Sequence, residues 1–255
     1  MTDSHYTVRR ISHFQLSKSD EQDRRESDLS YPLSLSPKSD GVFEISYTQP
    51  GTWLSSFQGM SDLQPLVPTL DAFTLRFSVT VNGKEGLRLS DEQALKTSFD
   101  DIEHILLRDK LINEPMNLCE LATPFLLKDI KPLLGDYSSY LSLEEGLYEV
   151  ETGKMKRTSL YLEHTEDHTY IDELKGARMV QSLLRSDLTK AFDDFTEGDF
   201  ETVDNYQNVN LNFRRFMLDE AGRVVRHLNH LRANSKVNDK KEVLYIVLDE
   251  SDDEE

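Results

Sequence analysis

Phe73-Thr74-Leu75-Arg76-Phe77-Ser78-Val79-Thr80-Val81-Asn82-Gly83 is the stretch from which the rest of the chain can be read. Five apolar residues alternate with four polar ones before the Asn-Gly pair, the period-two pattern of a strand with one buried face. Asn82-Gly83 is a favoured hairpin turn, because both residue types tolerate positive φ, and Leu87 and Leu89 begin the return strand. Ser90 and Gln93 follow in capping-box spacing. Leu95, Phe99, Ile102 and Leu106 then recur at intervals of four, three and four, which makes one apolar stripe along a helix.

Upstream, Phe43, Ile45 and Tyr47 share one face of a strand that ends at the turn-forming Gln49-Pro50-Gly51. Trp53, Phe57, Leu63, Leu66 and Val67 anchor a loop beyond it. Residues 1–40 are dominated by Ser, Asp, Arg, Lys and Glu without a sustained period and read as a disordered regulatory arm. Within it, Ser12 and Ser27 each follow an arginine pair in the manner of a basophilic-kinase site, and Ser36-Pro37-Lys38 has a proline-directed pattern.

Downstream, Pro115, Pro124 and Pro132 divide the chain into short pieces. Gly146 to Val150 and Met155 to Leu162, joined through Thr152-Gly153, read as a second hairpin. From Ile171 the spacing predicts helices. Ala177, Val180, Leu184, Leu188, Ala191 and Phe195 make one stripe that stops at Gly198; Tyr206, Val209, Phe213, Met217, Val224, Leu228 and Leu231 make another, which Gly222 divides. The expected fold is α+β: a small antiparallel sheet with packed helices over 41–165, a helical hairpin over 166–234, and a linker with an acidic tail over 235–255.

A chain of 255 residues has room for one large domain or two small ones. Its formal net charge is −18, and without the acids of Asp249–Glu255 there remain 41 acids against 29 bases, a net −12. Such a body argues against direct nucleic-acid binding, which needs clustered Lys and Arg on the phosphates. Cys119 is the only cysteine, so an intrachain disulfide and a cysteine-ligated zinc site are excluded. No apolar run reaches the length of a membrane span, and Met1 to Arg10 lacks the apolar core of a signal peptide, so a nuclear, or cytoplasmic and nuclear, protein is expected.

Catalytic signatures are missing from the sequence: there is no Gly-rich phosphate loop, dinucleotide fingerprint, His-Glu-x-x-His helix or nucleophile elbow. Cys119 sits beside Glu120, which disfavours a thiolate. His164 and His168 are four apart, but Leu160-Tyr161-Leu162 before them marks a strand and loop rather than a metal-binding helix. A non-enzyme without metal or cofactor is expected. Arg214, Arg215, Arg223, Arg226, His227, His230 and Arg232 make a basic end of the last predicted helix. They serve its macrodipole, a docking patch for an acidic partner through Arg215, Arg223, Arg226 and His230, or direct phosphate contact.

The last residues carry the sharpest functional signal. Val243-Leu244-Tyr245-Ile246-Val247-Leu248 is rich in β-formers and runs into Asp249-Glu250-Ser251-Asp252-Asp253-Glu254-Glu255. A lone strand leaves its backbone unpaired, so it joins either this protein's own sheet or a partner's by strand addition. The stretch resembles the SUMO-interacting motif, with Val243, Ile246, Val247 and Leu248 as pocket-fillers and the acids, among them Asp249, Glu250, Asp252 and Asp253, as flank. Ser251 resembles an acidophilic-kinase site, and phosphate there would add about −1.5 to −2 charge. The resemblance implies an adaptor or subunit of a nuclear complex in chromosome maintenance, DNA repair or transcription that docks SUMO or SUMO-modified proteins. Two other readings stand beside it: a structural subunit packing its 170–231 helices on a fixed partner, and an enzyme without a familiar motif.

Overall fold

The computed structural model describes residues 3–15, 24–55, 65–82, 86–135, 141, 143–151, 156–177, 211–234 and 239–249. In chain order these contain β1 (Ser4–Gln15), β2 (Arg24–Ser39), β3 (Val42–Tyr47), α1 (Pro50–Ser55), α2 (Val67–Leu70), β4 (Leu75–Asn82), β5 (Gly86–Leu89), α3 (Glu92–Arg108) and α4 (Leu118–Ile130). Six strands follow: β6 (Gly146–Glu151), β7 (Lys156–His164), β8 (Thr169–Ala177), β9 (Leu211–Leu218), β10 (Val224–Asn234) and β11 (Asp239–Leu248). The strands form one antiparallel sheet of eleven in the order β5-β4-β3-β2-β1-β11-β10-β9-β8-β7-β6. The chain divides into two compact units, one made of 1–9, 29–139 and 246–255, the other of 10–28 and 140–245.

This architecture overturns the expected α+β fold with a helical hairpin. Residues 211–218 and 224–234 are strands β9 and β10, paired antiparallel with Phe213 opposite His230 and Phe216 opposite His227. The misreading has a physical cause. Phe213, Phe216 and Leu218 are all buried, so apolar side chains lie on both faces of β9 and its alternation is erased, while Phe213–Met217 and Val224–Leu228 keep the interval of four that a helix also satisfies. Gly222 divides no helix. At φ +75° it closes a tight hairpin in which Gly222 N–H donates to Asp219 O at 2.9 Å and Asp219 N–H to Arg223 O at 3.0 Å. Ala177 lies in β8, and the rest of the other predicted helix, from Val180 to Gly198, falls outside the described residues.

The disordered arm is corrected as well, because most of residues 1–40 form β1 and β2. Tyr6, Val8 and Arg10 of β1 and Tyr31, Leu33 and Leu35 of β2 are buried at alternate positions, a period-two signal hidden under polar composition. Pro37 is tolerated at the register shift in the β2–β3 pair.

In the first unit, the rungs Leu33–Tyr47–Leu75 and Leu35–Ile45–Phe77 put apolar side chains on one face of β2, β3 and β4. Helix α3 packs against β4 with the predicted stripe Leu95, Phe99, Ile102 and Leu106 buried. Its cap is Asp91, whose carboxylate accepts from Ala94 N–H at 2.9 Å, rather than Ser90. Glu103 reaches from α3 to the start of α4 and accepts from the N–H groups of Met116 and Leu118 at 2.7 and 3.1 Å, a favourable place for a carboxylate. Gly51 lets α1 approach α2 closely, since a Cβ there would meet Leu70 Cβ and Val67 O at 2.7 Å.

Asp129 of α4 is fully buried and joins this layer to the sheet. Its Oδ2 accepts from Tyr31 Oη–H at 2.9 Å and from Trp53 Nε1–H at 2.8 Å, with the Tyr47 ring 5.0 Å from Trp53. Hydrogen bonds to a charged acceptor are stronger than neutral ones, and a buried donor left alone costs about 1–3 kcal/mol. Asp129→Ala is therefore expected to destabilise the protein by about 3 kcal/mol, and Asp129→Asn, which keeps an acceptor oxygen, by less. Urea unfolding of the three proteins measures this; equal midpoints would show that the carboxylate is not a structural tie.

Candidate functional site

Strand β11 is sixth in the sheet and has a hydrogen-bonded neighbour on each side, β1 and β10. Val243, Leu244, Tyr245 and Ile246 are consecutive and all buried, so both of its faces are covered. Val247 and Leu248 are half-buried, and Asp249 is exposed. The apolar half of the SUMO-like stretch is thus part of the fold, and of the acidic half Asp249 is described. Asp249 is held on β1: its N–H donates to His5 O at 2.8 Å, and Thr7 Oγ1–H donates to its Oδ1 at 2.8 Å. Glu250, Ser251, Asp252 and Asp253 lie outside the described residues.

The described basic residues sit on strands β9 and β10 and the turn between them rather than at the end of a helix. Arg215 is 6% exposed and faces Asp172 of β8, its register partner, with Nε 3.5 Å from Oδ1 and its guanidinium 4.9 Å from the centre of the Tyr170 ring. Arg214 lies one residue away on the other face. Its Nε is 3.4 Å from Glu173 Oε2, and Lys175 Nζ approaches Glu173 Oε1 at 2.8 Å. Arg223 is held in the β9–β10 turn, where Nε donates to Asp219 Oδ2 at 3.0 Å. Arg226 is half-buried opposite Met217, and His230 occupies the register position opposite Phe213. Strand alternation sends neighbouring arginines to opposite faces, where a helix would have gathered them.

Asp172 and Glu173 were not singled out from sequence, because Ile171 onward read as helix. The signal was the β-forming Thr169-Tyr170-Ile171 after a turn in which Thr165 N–H donates to His168 O at 2.9 Å. That turn also fits the strand-and-loop expectation for His164 and His168. His164 Nδ1 bonds Thr169 Oγ1 at 2.9 Å, and among the described residues no group of three His, Cys, Asp or Glu could hold a metal. Of the candidate phosphorylation sites, Ser12 and Ser27 hydrogen-bond each other through their hydroxyls at 2.7 Å, and Ser36 pairs with Glu44 across β2–β3.

His227 is a further buried polar group of the second unit. It is 1% exposed, and its ring lies 4.4 Å from that of its register partner Phe216. Nδ1–H donates to Arg215 O at 3.0 Å, while Nε2 has no hydrogen-bond partner among the described residues. Burial, and next the Arg214 guanidinium, push its pKa down to about 3. No family model matches this chain, and no curated protein matches it. Fold and site define a mostly β class, an antiparallel sheet of eleven strands with four short helices, charged groups buried in both units and Asp249 held on β1.

The His227 shift has a pH consequence with a definite sign. The unfolded imidazole takes up a proton near pH 6.5 and the folded one only near pH 3, so the unfolded state binds the extra proton between those values. The stability that neutral His227 contributes is full above pH 6.5 and is lost as pH falls toward 3. His227→Leu should remove up to one proton from the slope of unfolding free energy in that window, about 1.4 kcal/mol per pH unit. Parallel curves for the two proteins would refute a buried neutral histidine.

Proposed function

We propose that the protein is a non-enzymatic adaptor or complex subunit that docks a basic surface of a protein partner through the acidic run Asp249–Glu255. The observation that supports this reading most is the double anchor of Asp249, the first acid of the run, on β1. Six carboxylates in seven residues raise the rate of encounter with a basic partner, and a fixed origin lowers the entropy lost on binding. Phosphate on Ser251 would strengthen the same field. A SUMO-type partner remains within this reading on one condition. Its strand-addition groove needs Val243–Leu248, so β11 must first leave both neighbours in the sheet.

Labelled SUMO separates the two forms of the proposal. The isolated 238–255 peptide should shift resonances of the peptide groove, and the intact protein should leave those resonances unmoved or shift only the basic rim. Groove shifts of equal size with both would show that β11 opens readily. Absence of any shift with either, at millimolar concentration, would remove SUMO as the partner. For the broader reading, deletion of 250–255 should weaken binding to a polylysine probe about tenfold or more and steepen no further with salt. Unchanged affinity would sink it.

A further inference from the structure

The two ends of the sheet order differ in how they are protected. An edge strand presents a row of unpaired N–H and C=O groups, and proteins blunt it with short length, lysine, proline or a bulge. At one end β5 is four residues long and carries Arg88. At the other, β6 is six residues long, pairs with β7 in unbroken register from Gly146–Leu162 to Glu151–Arg157, and contains neither proline nor lysine. Among the described residues β6 has a hydrogen-bonded neighbour on its β7 side alone. Leu147 stands on this edge at 58% exposure, the most exposed large hydrophobic side chain among the described residues.

From these features we infer that β6 is a docking edge that accepts an extended, basic strand from a partner protein. Charge decides the occupant. Residues 144–151, Glu-Glu-Gly-Leu-Tyr-Glu-Val-Glu, hold four acids and no base. A second copy of this chain paired through β6 would bring eight carboxylates together, and like charges on adjacent strands destabilise the pair. A strand carrying Lys or Arg meets the opposite field. Leu147 sets a further requirement. It lies opposite half-buried Tyr161 of β7 on one face, so an apolar residue of the incoming strand beside Leu147 extends that row. The partner segment is therefore about six residues long, free of proline, with bases alternating around one apolar position. Backbone hydrogen bonds supply most of its affinity, and the acids supply encounter rate and register.

This inference deepens the adaptor reading but does not depend on the acidic run, and the test keeps the two apart. The probe is a fluorescent peptide, Lys-Val-Lys-Val-Ile-Thr-Lys, whose Ile and lysines share one face as Leu147, Glu149 and Glu151 do, titrated into the full chain, the chain lacking 250–255, and the Glu149→Lys, Glu151→Lys double variant. Amide hydrogen exchange is read over 144–151 at saturation. The expected result is protection gained in β6 amides, affinity kept within a few-fold by the deletion, and a loss of tenfold or more in the double variant. A peptide with proline at its centre, or N-methylated at alternate positions, should lose binding to the unaltered protein, which keeps the test valid if the double variant fails to fold. If the probe binds without protecting β6, or the proline peptide binds equally well, β6 is not a docking edge. Binding lost on deletion of 250–255 and kept in the double variant would likewise overturn the β6 assignment while leaving the acidic run in place.

Discussion

Everything in this fold depends on the pairing of β11 with β1. The contact closes a very long loop: Thr7 and Asp249, hydrogen-bonded at 2.8 Å, are 242 residues apart. Loop closure on that scale costs about 5 kcal/mol in chain entropy, growing only with the logarithm of length. The ladder and the burial of Val243 to Ile246 on both faces offset it. Without β11, β1 and β10 would each lose a neighbour and the sheet would gain two edges. Pairing of such high sequence separation makes for slow folding, with strand edges exposed meanwhile.

Charge is treated differently in the two units. The first buries single carboxylates, Asp129 and Glu103, each satisfied by donors: phenol and indole in one case, helix-start amides in the other. The second opposes charges in pairs, buried Asp172 with buried Arg215 and buried Glu173 with half-buried Arg214, on opposite faces of the same two strands. Desolvation offsets much of the attraction in such pairs, so their net contribution to stability is small, whereas loss of one partner is costly. What they supply is register. A one-residue slip of β9 against β8 would send each arginine to the wrong face and leave four charges unpaired.

How much of this could be read from sequence depended on whether a segment's burial was one-sided or two-sided. The β4 strand, its hairpin partner and α3 were legible because each has one wet face and a clean period. The β6–β7 hairpin was legible through Thr152-Gly153 between two β-rich runs. Strands β9 and β10 were not, since covering both faces erases alternation and leaves spacings that a helix also satisfies. The hairpin turn Asp219-Glu220-Ala221-Gly222-Arg223 held the missing clue, with glycine at the one position that needs positive φ. Strands β1 and β2 were lost to composition, although Tyr31-Pro32-Leu33-Ser34-Leu35 alternates. For the candidate site, the acids after Leu248 were plain, but whether Val243–Leu248 belonged to this sheet or a partner's was open. That choice is made by β1 and β10, at sequence distances no local pattern reports.

Hydrogen exchange of the Val243–Leu248 amides in the intact protein tests this account most directly. A strand held on both sides exchanges only through large-scale opening, so protection there should equal that of β3 and β4 and approach the global unfolding free energy. Exchange as fast as in the unstructured 238–255 peptide would mean that β11 is a free segment. The anchor of Asp249 and the eleven-strand order would then both have to be abandoned.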